Sequence, residues 1–93
     1  MDQERKDKKQ LISSSKSLKP VVMIGAKGLT ENVHKEIETS LNAHEIIKIR
    51  VATRDREEFV NTANKVVAKH DAQLISLIGR VMVIYRERTL EED

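Results

Sequence analysis

Between two β-type runs, Val21-Val22-Met23-Ile24 and Ile46-Ile47-Lys48-Ile49-Arg50-Val51, the apolar residues Leu29, Val33, Ile37 and Leu41 recur every four positions. That recurrence is one face of an amphipathic helix. A strand, a helix and a strand at this spacing leave few folds open. They favour parallel pairing through a right-handed crossover, with the helix laid over one face of the sheet.

The pattern then repeats. Asp55 with Glu58 three residues on resembles a capping box. Phe59, Ala63, Val66 and Val67 form the next buried stripe, Lys65 and Lys69 face outward, and His70-Asp71 ends the helix. Leu74–Ile78 and Val81–Tyr85 read as two more strands. Gly79-Arg80 between them fits a type II′ hairpin with Arg80 at its tip. Upstream, Arg5 to Ser17 reads as a helix, with Leu11, Ser14, Ser15 and Leu18 on one side. Pro20 ends it and holds Lys19 extended. The unbroken apolar run Val21–Ile24 reads as an interior strand covered on both faces. The expected class is α/β, in the order α-β-α-β-α-β-β. It has a mixed four-stranded sheet, both internal helices on one face and the N-terminal helix against another side.

Ninety-three residues suit one domain. Residues 1–10 read as a charged, partly disordered N-terminus, 11–86 as the domain and 87–93 as an acidic tail, the charged stretch opening at Arg86. There is no cysteine, which excludes a disulfide framework and a thiolate metal site and agrees with a reducing cytoplasm. No apolar run approaches the ~20 residues of a membrane span, and the charged start lacks the apolar core of a secretion signal. His34, His44 and His70 show neither HxxxH nor HxH spacing, so no metal is expected. His44, at a helix end, reads as a cap or surface contact. No nucleophile elbow, Walker motif or dinucleotide fingerprint is present. Catalysis, a cofactor and a small-molecule substrate are therefore not expected.

Binding chemistry is better represented. Gly25-Ala26-Lys27-Gly28 joins the first strand to the first internal helix, which Thr30 is placed to cap. Glycines let a backbone approach closely, and a helix start presents unpaired N–H groups and the positive end of its dipole. The corner suits a phosphate or is simply a turn. Its spacing matches the backbone-clamping loop of KH-type RNA modules. Asn32 and Lys35 lie beside it, one turn apart. Lys48 and Arg50 point the same way from the second strand, roughly 7 Å apart. They read either as a basic binding face or as solvated gatekeepers. Arg5, Lys6, Lys8 and Lys9 likewise read as a solvated helix end or an RNA contact. The net charge of +2 is mild: Lys and Arg outnumber acids six to three over residues 1–20, stand nine to eight over 21–85, and fall to two against four over 86–93. Nucleic-acid binding would thus need local clustering of cations.

Assembled in order, these segments resemble the CRM domain family, the chloroplast RNA splicing and ribosome maturation domain, especially its free-standing YhbY-type members. The residues that carry the resemblance are Leu18-Lys19-Pro20-Val21-Val22, Ile24 through Val33, Ala43 through Val51, Ile78-Gly79-Arg80 and Val83-Ile84-Tyr85-Arg86. The resemblance implies an RNA-binding module that acts on ribosomal RNA or pre-ribosomal particles in large-subunit assembly. It also implies a fold similar to the C-terminal domain of a bacterial translation initiation factor. The expected RNA contacts are Gly25, Ala26, Lys27, Gly28, Thr30, Asn32, Lys35, Lys48, Arg50, Arg54 and Arg80. Stacking aromatics are absent, so backbone and shape recognition is expected. The competing reading is a protein-interaction adapter docking on a ribosomal protein or RNA-processing enzyme.

Overall fold

The structure, a computed structural model, describes residues 18–87. The expected N-terminal helix, its basic group and residues 88–93 lie outside the described residues. The elements are β1 (Pro20–Ile24), α1 (Glu31–His44), β2 (Ile46–Val51), α2 (Arg56–His70), β3 (Gln73–Ile78) and β4 (Val81–Tyr85).

Local chemistry sets the helix limits. Thr30 Oγ1 accepts the Val33 N–H at 3.2 Å and starts α1. Glu45, at φ 65°, stops it by donating its N–H to the Leu41 carbonyl. At the start of α2, Asp55 Oδ1 accepts the N–H groups of Glu57 and Glu58. The reciprocal arm of the expected capping box takes another route. Glu58 Oε1 accepts the Thr53 hydroxyl at 2.8 Å, and Thr53 Oγ1 accepts the Asp55 N–H at 3.2 Å. Thr53 thus relays what a direct contact from Glu58 to the cap would do. Asp71, left-handed at φ 54°, closes α2.

The sheet order is β1-β2-β4-β3, with β1 and β2 parallel and β4 antiparallel to both neighbours. The last strand is central. The second strand-helix-strand passage therefore does not pair β2 with β3. The Gly79-Arg80 turn folds β4 back into the space between them. Gly79 has φ 62° and Arg80 is not in the positive region, as a type II′ turn requires.

β1 corrects one expectation. It is an edge strand, buried on one side only, with Val21 50% and Met23 62% exposed. Four apolar residues in a row mimic a doubly covered strand, but among the described residues β2 alone pairs with β1. Pro20, which lacks an N–H, suits such an edge.

The core lies between the sheet and the two helices. Val22, Ile24, Ile47, Ile49, Val51, Met82 and Ile84 meet Ile37, Leu41, Phe59, Ala63 and Val66. Burying each large side chain stabilises the fold by roughly 1.5–3 kcal/mol. On the sheet's other face Ile75 and Val83 form a smaller cluster with Ile46 and Tyr85. β2 divides its residues as its alternation predicts: Ile47, Ile49 and Val51 enter the core, while Lys48 and Arg50 take the face away from the helices.

Candidate functional site

The Gly25–Gly28 segment closes as a tight turn, with the Gly28 N–H donating to the Gly25 carbonyl at 3.0 Å. Gly28 has φ 77°, a conformation that disfavours a side chain, whereas Gly25 lies outside the positive region. A Cβ added at either position would meet nothing within 4 Å. The corner is therefore open, and Ala26 and Lys27 are exposed on it. Thr30 donates its N–H to the Gly28 carbonyl at 3.0 Å, which seats the turn directly on the start of α1. That start has the N–H groups and dipole end that attract anions.

Two hydrogen bonds gather three loops at this end of the sheet. Ala52 N–H donates to the Ile24 carbonyl at 2.9 Å, and Val51 N–H donates to the Arg80 carbonyl at 2.8 Å. Lys27, Arg54 and Arg80 thus stand on neighbouring loops, with Arg54 and Arg80 sharing a small depression beside Phe59. Arg50 pairs with Met23 and Val81 one step into the sheet, and Lys48 lies two residues further along. Asn32 and Lys35 are exposed on the first turns of α1. The sheet separates these two from Lys48 and Arg50, since α1 packs on the opposite face. The candidates form two arms that meet at the glycine corner, not one flat track. Among the described residues, Lys27, Lys35, Lys48, Arg50, Arg54 and Arg80 make no side-chain ion pair or hydrogen bond.

A second cluster escaped the sequence reading. His34 Nδ1 lies 2.9 Å from His70 Nε2, and His70 Nδ1 lies 2.9 Å from Glu38 Oε1. Arg86 donates to both Glu38 oxygens, at 3.1 and 2.9 Å, to the His70 carbonyl at 2.9 Å and to Asn42 Oδ1 at 2.9 Å. Arg86 is therefore a fastener between β4, α1 and the end of α2, and the expected charged tail does not begin there. Hydrogen bonds from Arg86 and then His70 hold the Glu38 carboxyl well down, at about 2. Burial, with the fields of His70 and Lys69 behind it, lowers His34. His70 is 6% exposed. Metal-ligand spacing could not reveal this cluster, because its members come from separate elements. One signal was available: Phe59, Ala63, Val66 and His70 share a helical stripe, and a polar residue on such a stripe needs a partner.

His34 also lines a cleft of about 770 Å³ between Gly28-Leu29 and the exposed face of α2. Asp55, Glu57 and Glu58 line the acidic end of α2 and Lys65 and Lys69 its basic end. No group of three or more His, Asp or Glu suited to a metal occurs among the described residues, and no helix there is long and apolar enough to cross a membrane.

The model of the CRS1 / YhbY (CRM) domain matches residues 4–86. A Haemophilus influenzae protein named an RNA-binding protein is 44% identical over 81 residues, 87% of this chain and 82% of the relative. A Pseudomonas aeruginosa protein named a probable RNA-binding protein is 35% identical over 83 residues, covering 89% and 80%. The solution structure of a Staphylococcus aureus protein superposes with a TM-score of 0.80 at 29% identity, covering 91% of this chain and 88% of that one.

Proposed function

The chain belongs to the CRS1 / YhbY (CRM) domain family, and from that premise we propose that it binds structured RNA, with the sugar-phosphate chain seated on the Gly25–Gly28 corner. The observation that carries this reading is the combination of an open corner with nearby cations that have no side-chain partner among the described residues. Arg86 is neutralised by Glu38, whereas Lys27, Arg54 and Arg80 are left facing solvent around the turn. The relatives' names as RNA-binding proteins point the same way.

In this mechanism Gly25, Ala26 and Gly28 admit a phosphate to the backbone, and Lys27 holds the next one. Thr30 fixes the helix start behind them. One arm runs over Arg54, Arg80, Arg50 and Lys48, and the other over Asn32 and Lys35. Recognition is of backbone and shape, with no catalytic step. The finer target is ribosomal RNA of the large subunit during assembly in the cytoplasm. The adapter reading draws little support, because the exposed apolar residues Val21 and Met23 lie on one edge strand and Ile78 on the other.

If three to five phosphates are neutralised, log affinity falls with log salt at a slope of roughly −2 to −4. Lys27→Ala with Gly28→Asp is expected to abolish binding of a uridine-loop hairpin RNA while the far-UV spectrum stays native. Undiminished binding by that double variant would remove the corner from the mechanism. Crosslinking in cells followed by sequencing of the bound RNA tests the ribosomal target.

A further inference from the structure

The hydrogen-bond chain behind the cleft fixes where an added proton must go. Glu38 is ionised, so it can only accept, and His70 must carry a proton on Nδ1. The bridge between His70 Nε2 and His34 Nδ1 holds a single proton, carried by His34 Nδ1 while neither ring is charged. With both rings neutral, that accounts for both ring protons. His34 Nε2 is then a bare acceptor. A third proton can enter the pair only at His34 Nε2. Gaining it turns that nitrogen from acceptor to donor and leaves one positive charge on the pair, next to the Glu38 carboxylate.

We propose that His34 is an RNA-phosphate contact in the cleft beside Gly28, and that a phosphate bound there brings one proton onto His34 Nε2. This rests on the RNA-binding reading and adds to it a site and a linkage. His34 lines the cleft, its Nδ1 is turned to His70, and Nε2 has no protein partner among the described residues. Lys65 and Lys69 line the same cleft from α2 and supply the remaining positive charge. The acids Asp55, Glu57 and Glu58 occupy the other end of that helix face. Two of them are engaged at the cap, Asp55 with backbone N–H groups and Glu58 with Thr53. In the free protein burial, and then the fields of His70 and Lys69, disfavour the added proton. A phosphate supplies the opposite field, so binding and protonation assist each other, as linkage requires.

The test is the affinity for a uridine-loop hairpin RNA, whose loop bases do not titrate in the range, measured from pH 8 to pH 5.5. Affinity is expected to rise about 3- to 10-fold toward acid, within the limit of tenfold per pH unit for one linked proton. In His34→Gln the dependence of affinity on pH should disappear, while His44→Gln keeps the parent slope. In NMR titrations the His34 ring midpoint should move upward when the RNA is added. An equal slope in His34→Gln, or a His34 midpoint unmoved by RNA, overturns the proposal. Binding that is independent of pH yet lost in the Lys27→Ala, Gly28→Asp protein overturns the proposal alone. No RNA binding at any pH overturns the RNA reading with it.

Discussion

The two ends of α1 use cationic side chains in opposite ways. At the glycine corner, Lys27, Arg54 and Arg80 stand on loops with no side-chain acceptor among the described residues. At the far end, Arg86 makes four hydrogen bonds to Glu38, Asn42 and the His70 carbonyl. The first arrangement keeps charge available to a partner at the cost of mutual repulsion. The second neutralises charge and ties three elements together. The difference teaches that charge counts over a sequence say little about binding. What matters is which cations the fold has already paired, and a mild net charge of +2 can still leave a cationic edge.

The contrast can be broken from either side. The largest expected effect comes from Arg86→Ala, which strands Glu38 and the His70 carbonyl. It should lower stability by about 2 kcal/mol in urea unfolding and leave the salt dependence of RNA affinity unchanged. A loss confined to RNA affinity would mean that Arg86 belongs with the binding cations. Arg80→Ala is the mirror experiment. Affinity should fall about 3- to 10-fold and the salt slope shrink by roughly 0.7–0.9, with the melting temperature unmoved.

Acid sharpens the distinction further. Glu38 has a folded value depressed to about 2 from 4.5, so its contribution is present above 4.5 and is lost as pH falls toward 2. His34 is a base whose folded value is lowered from 6.5, so it also favours the folded state at higher pH and loses that contribution on acidification. Thermal melts should show an acid limb that Glu38→Gln flattens below pH 4.5. A limb unchanged in that variant would place the acid sensitivity elsewhere. The smallest effect is expected for Gly25→Ala. No atom lies within 4 Å of the new Cβ and the backbone is not in the positive region. Stability should stay within about 0.5 kcal/mol, while RNA affinity drops if the backbone at that point touches phosphate.

Much of the fold was legible. The four-residue recurrence from Leu29 to Leu41 and the alternation from Ile47 to Val51 are local patterns, and they mark α1 and β2 directly. The caps Thr30 and Asp55 and the Gly79 turn were legible for the same reason. The position of β1 was not, because an apolar run carries no sign of how many neighbours a strand will have. Nor was the strand order, which depends on β4 entering between β2 and β3. For the candidate site, the corner and its cations could be named from the sequence. Their division by the sheet into two arms could not, because it requires knowing which face α1 covers. His34 and His70 lie 36 residues apart, so only the stripe ending at His70 hinted at a partner.

The centrality of β4 bears on how the chain is made. β2 and β3 each need β4 as their antiparallel neighbour, and β4 is the last of the described elements to leave the ribosome. Until Val81–Tyr85 emerges, a nascent chain has only one pair of strands to join and exposes the apolar faces of two helices. Closure of this domain therefore waits for its last described strand, and a chain cut short before Val81 would yield a product for proteases and chaperones rather than a smaller working domain.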